Sequence, residues 1–208
     1  MFFVVMGASG SGKTTALKEL LVQHPDVVWY DFDAVDIPPD VDKIWRQRTT
    51  EHWLKIALEH QAQGQDMGLC GGAIFGEILA CPSAPLVAEI AGCLLDCGDV
   101  VRIDRLRARN VHDYGISQEM LCWAAWQRMH AVDPQWRQDV IRVEAEPGMH
   151  WERWEQWQRG DPRWKIWTFD TTHSTIDEVV QNLSKWANEQ KQLYAEGRGP
   201  LQNQWWEA

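Results

Sequence analysis

The chain predicts an α/β fold with a parallel sheet covered on both faces, and two observations carry that reading. Short apolar runs alternate with segments of helical periodicity along most of the 208 residues, as crossover connections between parallel strands require. The first run, Phe2-Phe3-Val4-Val5-Met6, opens directly onto Gly7-Ala8-Ser9-Gly10-Ser11-Gly12-Lys13-Thr14. That octapeptide satisfies G-x-x-x-x-G-K-[ST], the glycine-rich loop that cradles phosphate.

The chemistry needs these residue types at this spacing. Gly7, Gly10 and Gly12 permit backbone angles closed to residues with a Cβ, so successive N–H groups can turn toward one anion. Lys13 then reaches the β- and γ-phosphates, and the Thr14 hydroxyl is a candidate Mg²⁺ ligand. The candidate nucleotide-binding set is Gly7, Ala8, Ser9, Gly10, Ser11, Gly12, Lys13, Thr14 and Thr15. From Lys13 to Gln23 the sequence reads as a helix with Leu17, Leu20 and Leu21 on one face, and its N-terminus adds a favourable dipole.

His24-Pro25-Asp26 makes a turn, and Val27-Val28-Trp29-Tyr30 starts a second strand ending in Asp31-Phe32-Asp33. Carboxylates at the C-terminal edge of a parallel sheet sit where α/β proteins place ligands; capping a turn is the alternative. Pro38-Pro39 ends regular structure, and residues 41–63 read as a helix. A third short strand, Met67 to Cys70, closes on Gly71-Gly72, where either a close ligand or a tight turn is expected. Ser83 caps a short helix through Ile90, and Cys93 to Cys97 forms the fourth strand. A helix starting near Asp99 places Arg102, Arg105 and Arg109 on one face, as a phosphate clamp or a solvated basic face.

Residues 110–163 are less regular, with a helix from Ser117 to His130 and Pro/Gly turns beyond it. This stretch is expected to be a lid or insertion, its tryptophans packing a core or interface. Lys165 to Phe169 forms a fifth strand running into Asp170-Thr171-Thr172, and a capped last helix runs from Ser174 or Thr175 to Gln190. Residues 1–195 thus form a single domain, followed by an irregular tail, 196–208.

Composition narrows the function. Thirty acidic residues against 20 Lys plus Arg give a net charge of −10, which disfavours a nucleic-acid partner. No apolar run approaches the roughly 20 residues of a membrane helix. Five cysteines with no C-x-x-C pair suit reduced thiols in a cytoplasmic protein; Cys93-x-x-x-Cys97 makes half a zinc site with no partner pair.

These motifs together resemble the small P-loop kinases, the nucleoside/nucleotide kinase-like group of shikimate kinase, gluconate kinase and chloramphenicol phosphotransferase. The likeness is specific over residues 1–33 and looser at 93–109 and 164–186. It implies a P-loop NTPase three-layer α/β/α fold, sheet order 2-3-1-4-5, with a helical lid or insertion. It also implies ATP (or GTP) with Mg²⁺, and phosphoryl transfer to an unidentified small-molecule hydroxyl or phosphate. By the same likeness Asp31 holds Mg²⁺, Asp33 orients or deprotonates the acceptor, Arg105 or Arg109 joins Lys13 in catalysis, and Thr171 lies near the base. The alternative is an ATPase or nucleotide-sensing switch, with Asp96 as metal ligand. Oligomeric state is open.

Overall fold

The computed structural model describes residues 1–109, 116–202 and 204–207. Strands β1 (Phe2–Met6), β2 (Val27–Asp31), β3 (Asp66–Gly71), β4 (Ile90–Asp96) and β5 (Ile166–Asp170) form one sheet of order β2-β3-β1-β4-β5. All neighbouring pairs are parallel, with Val5 flanked by Cys70 on β3 and Cys93 on β4. Every residue of β1 is buried, as its unbroken apolar run requires for a central strand covered on both faces. The order is the one the kinase likeness implies, and the architecture is the P-loop NTPase α/β fold.

Helices α1 (Lys13–Gln23) and α7 (Ile176–Ala195) cover one face, where Leu17, Leu20, Val180, Leu183 and Trp186 pack against Phe3, Val5 and Trp29. Helix α7 begins at a capping box between Thr175 and Glu178, which satisfies two orphan backbone donors reciprocally. The other face carries α2 (Lys43–Ala62), α3 (Phe75–Ala80) and α5 (Gln118–Val132). Helix α4 (Asp99–Ala108) follows β4 beside the glycine loop, and α6 (Asp139–Arg142) is a single turn.

Two element boundaries change, and the Gly71-Gly72 alternative is resolved. Ser83 opens only a 3₁₀ turn, Ala84–Leu86, and β4 starts at Ile90 rather than Cys93; the turn's Pro85 and the following apolar run favour extension over helix. Gly71 has φ +154°, and a Cβ there would lie 2.2 Å from the Cβ of Phe32. The backbone is bare there because Phe32 presses on it.

The stretch 118–163, expected as part of a lid or insertion, contributes to the core. Trp126, Ile141, Trp154 and Trp157 join the core with Phe75 and Ile78, and Trp154 is fully buried with its indole N–H on the Gly76 carbonyl at 2.8 Å. Trp151, Trp154 and Trp157 lie on a 3₁₀ turn and successive tight turns, not on a long helix. Residues 110–115, where the expected lid begins, lie outside the described residues. The C-terminal tail is irregular, as expected, but docked: Leu201 and Trp205 are buried in the same core.

Candidate active site

The glycine loop joins β1 to α1, and its three glycines all take positive φ: Gly7 +150°, Gly10 +81° and Gly12 +99°. Gly7 also lies so close to β4 that a Cβ would stand 2.3 Å from the Leu95 carbonyl oxygen. For a loop to offer its N–H groups to an anion, its carbonyls must point away and find partners elsewhere. Here four consecutive carbonyls do so. Lys13 Nζ donates to Ala8 O at 3.1 Å, and Arg102 donates to Ser9 O at 2.7 Å. Gly10 O accepts from Arg105 at 3.3 Å and from the Cys97 thiol at 3.6 Å. Ser11 O accepts from the Thr171 hydroxyl at 3.0 Å, which is shared with Asp96 O. The peptide planes are thus fixed without a ligand. The Ser11 hydroxyl, fully buried, has no partner among the described residues.

Lys13 sits at the first turn of α1 and Thr14 beside it is exposed. Burial lowers the Lys13 ammonium to about 8; the neighbouring Arg102 charge acts in the same direction, against the pull of Asp33 and Asp31. Both carboxylates thus act electrostatically on the lysine. Strand β2 ends at Asp31, whose Oδ1 accepts the Asp33 N–H at 3.0 Å. Turn capping therefore occupies one Asp31 oxygen and leaves the other without a hydrogen-bond partner among the described residues, while Phe32 between the two carboxylates is buried and anchors the turn. The Asp33 carboxyl is raised, first by burial and then by Asp31.

Arg105 and Thr171 occupy the back of the loop. Arg105 donates to the Thr171 hydroxyl at 2.9 Å and to the Thr171 carbonyl at 2.6 Å, so both its terminal nitrogens are engaged in bracing. Arg109, one turn further, is exposed. It borders a cleft of about 280 Å³ between α4 and the start of α7, lined also by Gly12, Thr15, Thr171, Ser174 and Ile176. The cleft opens beside the loop.

Asp96 is not free to hold a metal. Its Oδ1 accepts from Arg102 at 2.7 Å, and Arg128 of α5 donates to Oδ2. Arg128 also reaches Asp99 at 3.2 Å. This network of Asp96, Arg102, Arg128 and Asp99 escaped sequence reasoning, because Arg128 lies 32 positions from Asp96 and nothing local signals the pairing. The pair of Arg46 and Glu77 escaped in the same way: fully buried Glu77 accepts two bonds from Arg46, 2.8 and 2.7 Å, and one from Gln47. Cys93 and Cys97 are buried free thiols, and no cluster of three or more His, Cys, Asp or Glu with metal-binding geometry occurs among the described residues.

The strand order and the glycine loop define the class: a P-loop α/β fold. Solved kinase structures are similar to it in fold. One is an unliganded sugar kinase from Janibacter sp. HTCC2649, with 15% identity over 90% of this chain and 94% of that one, TM-score 0.55. Another is a gluconokinase from Sinorhizobium meliloti 1021, with 17% identity over 93% and 95%, TM-score 0.52. At these identities the likeness is one of fold. No family model matches the sequence, and no curated protein matches it. No helix among the described residues is long and apolar enough to cross a membrane.

Proposed function

We propose that the protein is a phosphotransferase that moves the γ-phosphoryl group of ATP to a hydroxyl or phosphate of a small molecule. The observation that carries this reading is the glycine loop, its three glycines at positive φ and its carbonyls held from behind, with Asp33, two residues past the end of β2, electrostatically coupled to Lys13 and raised by burial and by Asp31. Transfer to an acceptor needs a group to orient or take its proton, and a carboxylate drawn upward in pKa suits that role. The loop amides and Lys13 hold the β- and γ-phosphates in line with it, which is most of what this transfer requires of a protein. The cleft at Arg109 and Ile176 takes the nucleoside, with the Arg109 guanidinium free to stack on the base.

Mg²⁺ fits this site: Thr14 is exposed at the loop end and Asp31 has one oxygen uncommitted. A cation that keeps several waters needs no more than one or two protein ligands. When bound, it would neutralise charge between the β- and γ-phosphates; Thr14 would hold it directly and Asp31 through water. The switch reading would need Asp96 for the metal, and two guanidinium groups already hold that carboxylate.

Incubation with γ-labelled ATP, Mg²⁺ and a panel of nucleosides, sugars, sugar acids and antibiotics tests the reading. Label on one acceptor class supports phosphotransfer; label released only as inorganic phosphate supports the switch.

A further inference from the structure

Arg102 is a fully buried arginine on α4, pointing at the back of a loop whose front binds anions. Its Nη1 donates to Ser9 O at 2.7 Å, and its Nη2 donates to Asp96 Oδ1 at 2.7 Å and to Cys97 O at 3.2 Å. Its Nε lies 3.7 Å from Asp99 and makes no hydrogen bond. The side-chain stem packs on Gly10, where a Cβ would stand 3.0 Å from Arg102 Cγ. We propose that Arg102, anchored by Asp96, is a positioning residue that presets the phosphate loop for the triphosphate; the inference rests on the phosphotransfer reading above.

Taking a guanidinium wholly out of water is costly, and that cost is offset only by a close counter-charge and satisfied donors. Asp96 supplies the counter-charge, and it and the two carbonyls satisfy both terminal nitrogens, with Nε left facing Asp99. Sequence logic offers no core-packing reason for arginine here, since an aliphatic residue would fill the same space at lower cost. What an aliphatic residue lacks is a donor for Ser9 O. That carbonyl lies at the loop apex, and its peptide plane sets the direction of the Gly10 N–H. With it held from behind, the loop's amides stay aimed forward while empty, so ordering them costs less when phosphate arrives. The second guanidinium on Asp96, from Arg128, extends the chain of contacts to α5: Arg128, Asp96, Arg102, Ser9. Helix α5, within the stretch expected as a lid or insertion, is therefore joined to the loop apex through three side chains.

A merely structural arginine would change stability and leave the folded protein's ligand preference alone. The test uses Arg102→Lys, which keeps a charge for Asp96 but cannot make the forked contact, and Asp96→Asn, which keeps the shape and drops the charge. Affinities for Mg-ATP and for adenosine are measured by calorimetry, the Mg²⁺ requirement by titration, and loop amide exchange on the nucleotide-free protein. Both variants should bind Mg-ATP about tenfold more weakly or worse, the scale of a lost charged hydrogen bond. Adenosine affinity and the Mg²⁺ requirement should stay unchanged, and exchange at Ser9 to Lys13 should accelerate. A raised Mg²⁺ requirement in Asp96→Asn would make Asp96 a metal ligand and overturn the inference. If Arg102→Lys does not fold, Asp96→Asn alone decides. Wild-type affinity and exchange in a folded variant, with wild-type protein binding Mg-ATP, would sink the inference only. Failure of the wild-type protein itself to bind Mg-ATP would sink the phosphotransfer reading and this inference with it.

Discussion

Trp154 donates its indole N–H to the Gly76 carbonyl at 2.8 Å, joining the middle of the 118–163 segment to helix α3. The contact is close: a Cβ on Gly76 would lie 2.7 Å from the Trp154 ring. His130, Trp151 and Trp164 pack around the same indole. These contacts tie the segment to the core layer.

Trp154→Ala should therefore cost about 3–5 kcal/mol of stability, the scale of removing a buried aromatic side chain. Denaturant unfolding measures it, and hydrogen exchange adds a second readout. Residues 118–163 should be protected already in the nucleotide-free protein. Rapid exchange there, slowed only by Mg²⁺ and an ATP analogue, would restore the lid.

Lys13→Ala should lower turnover by about a thousandfold, in line with removal of one key charge-stabilising group, and leave the unfolding midpoint nearly unchanged. The wild-type protein adds a pH signature. In the free protein Lys13 titrates at about 8, and bound phosphate favours its charged form. Affinity for ATP should then be flat below pH 8 and fall above it, with proton uptake on binding. Calorimetry in buffers of different ionisation enthalpy reads that uptake, and no uptake at pH 9 would contradict the assignment.

The two aspartates should separate kinetically. Asp33→Asn should depress transfer about a hundredfold, the lower scale of general-base loss, with Mg-ATP affinity nearly unchanged. Asp31→Asn should raise the Mg²⁺ requirement instead. Because Asp33 is drawn upward, the acidic limb of the activity profile should lie above the usual carboxylate range and vanish in Asp33→Asn. Equal defects in both variants would remove the division of roles.

At the far end of the sheet, Glu89 is buried beneath the tail, accepting the Leu201 N–H at 3.2 Å, with its other oxygen unpaired. Burial raises it to about 7, with the amino terminus and the Leu201 bond opposing. A raised folded-state pKa means the folded protein holds the proton longer. Its contribution is full below the ordinary value of 4.5 and is lost as pH rises through 7. Glu89→Gln should be more stable than wild type above pH 7, by roughly 2–3 kcal/mol for a shift of this size, and should flatten the pH dependence. Matched unfolding curves at pH 5 and pH 8 check both.

What the sequence made legible followed from local rules. The loop's glycines, the apolar β1 and the cap at Ser174 or Thr175 each signal their conformation within a few residues. The position of Asp31 and Asp33 was readable because a strand end is a local event. Arg105 was readable as near the loop, but its bond to Thr171, 66 positions away, is a matter of packing. Asp96 looked like a metal ligand because its strand ends correctly; only the folded chain brings Arg102 and Arg128 onto it. The Trp-rich segment looked separable because its turns are frequent, and turn density says nothing about where the indoles between the turns are buried.

The central claim is transfer to an acceptor rather than to water, and the partition of label from γ-labelled ATP measures it most directly. Wild-type protein and Asp33→Asn are compared with Mg²⁺, with and without the acceptor panel. The account predicts that one acceptor class captures label from wild type well above hydrolysis, and that Asp33→Asn loses this capture while still binding Mg-ATP. Label appearing only as inorganic phosphate, at the same rate in both proteins and whatever acceptor is present, would contradict it.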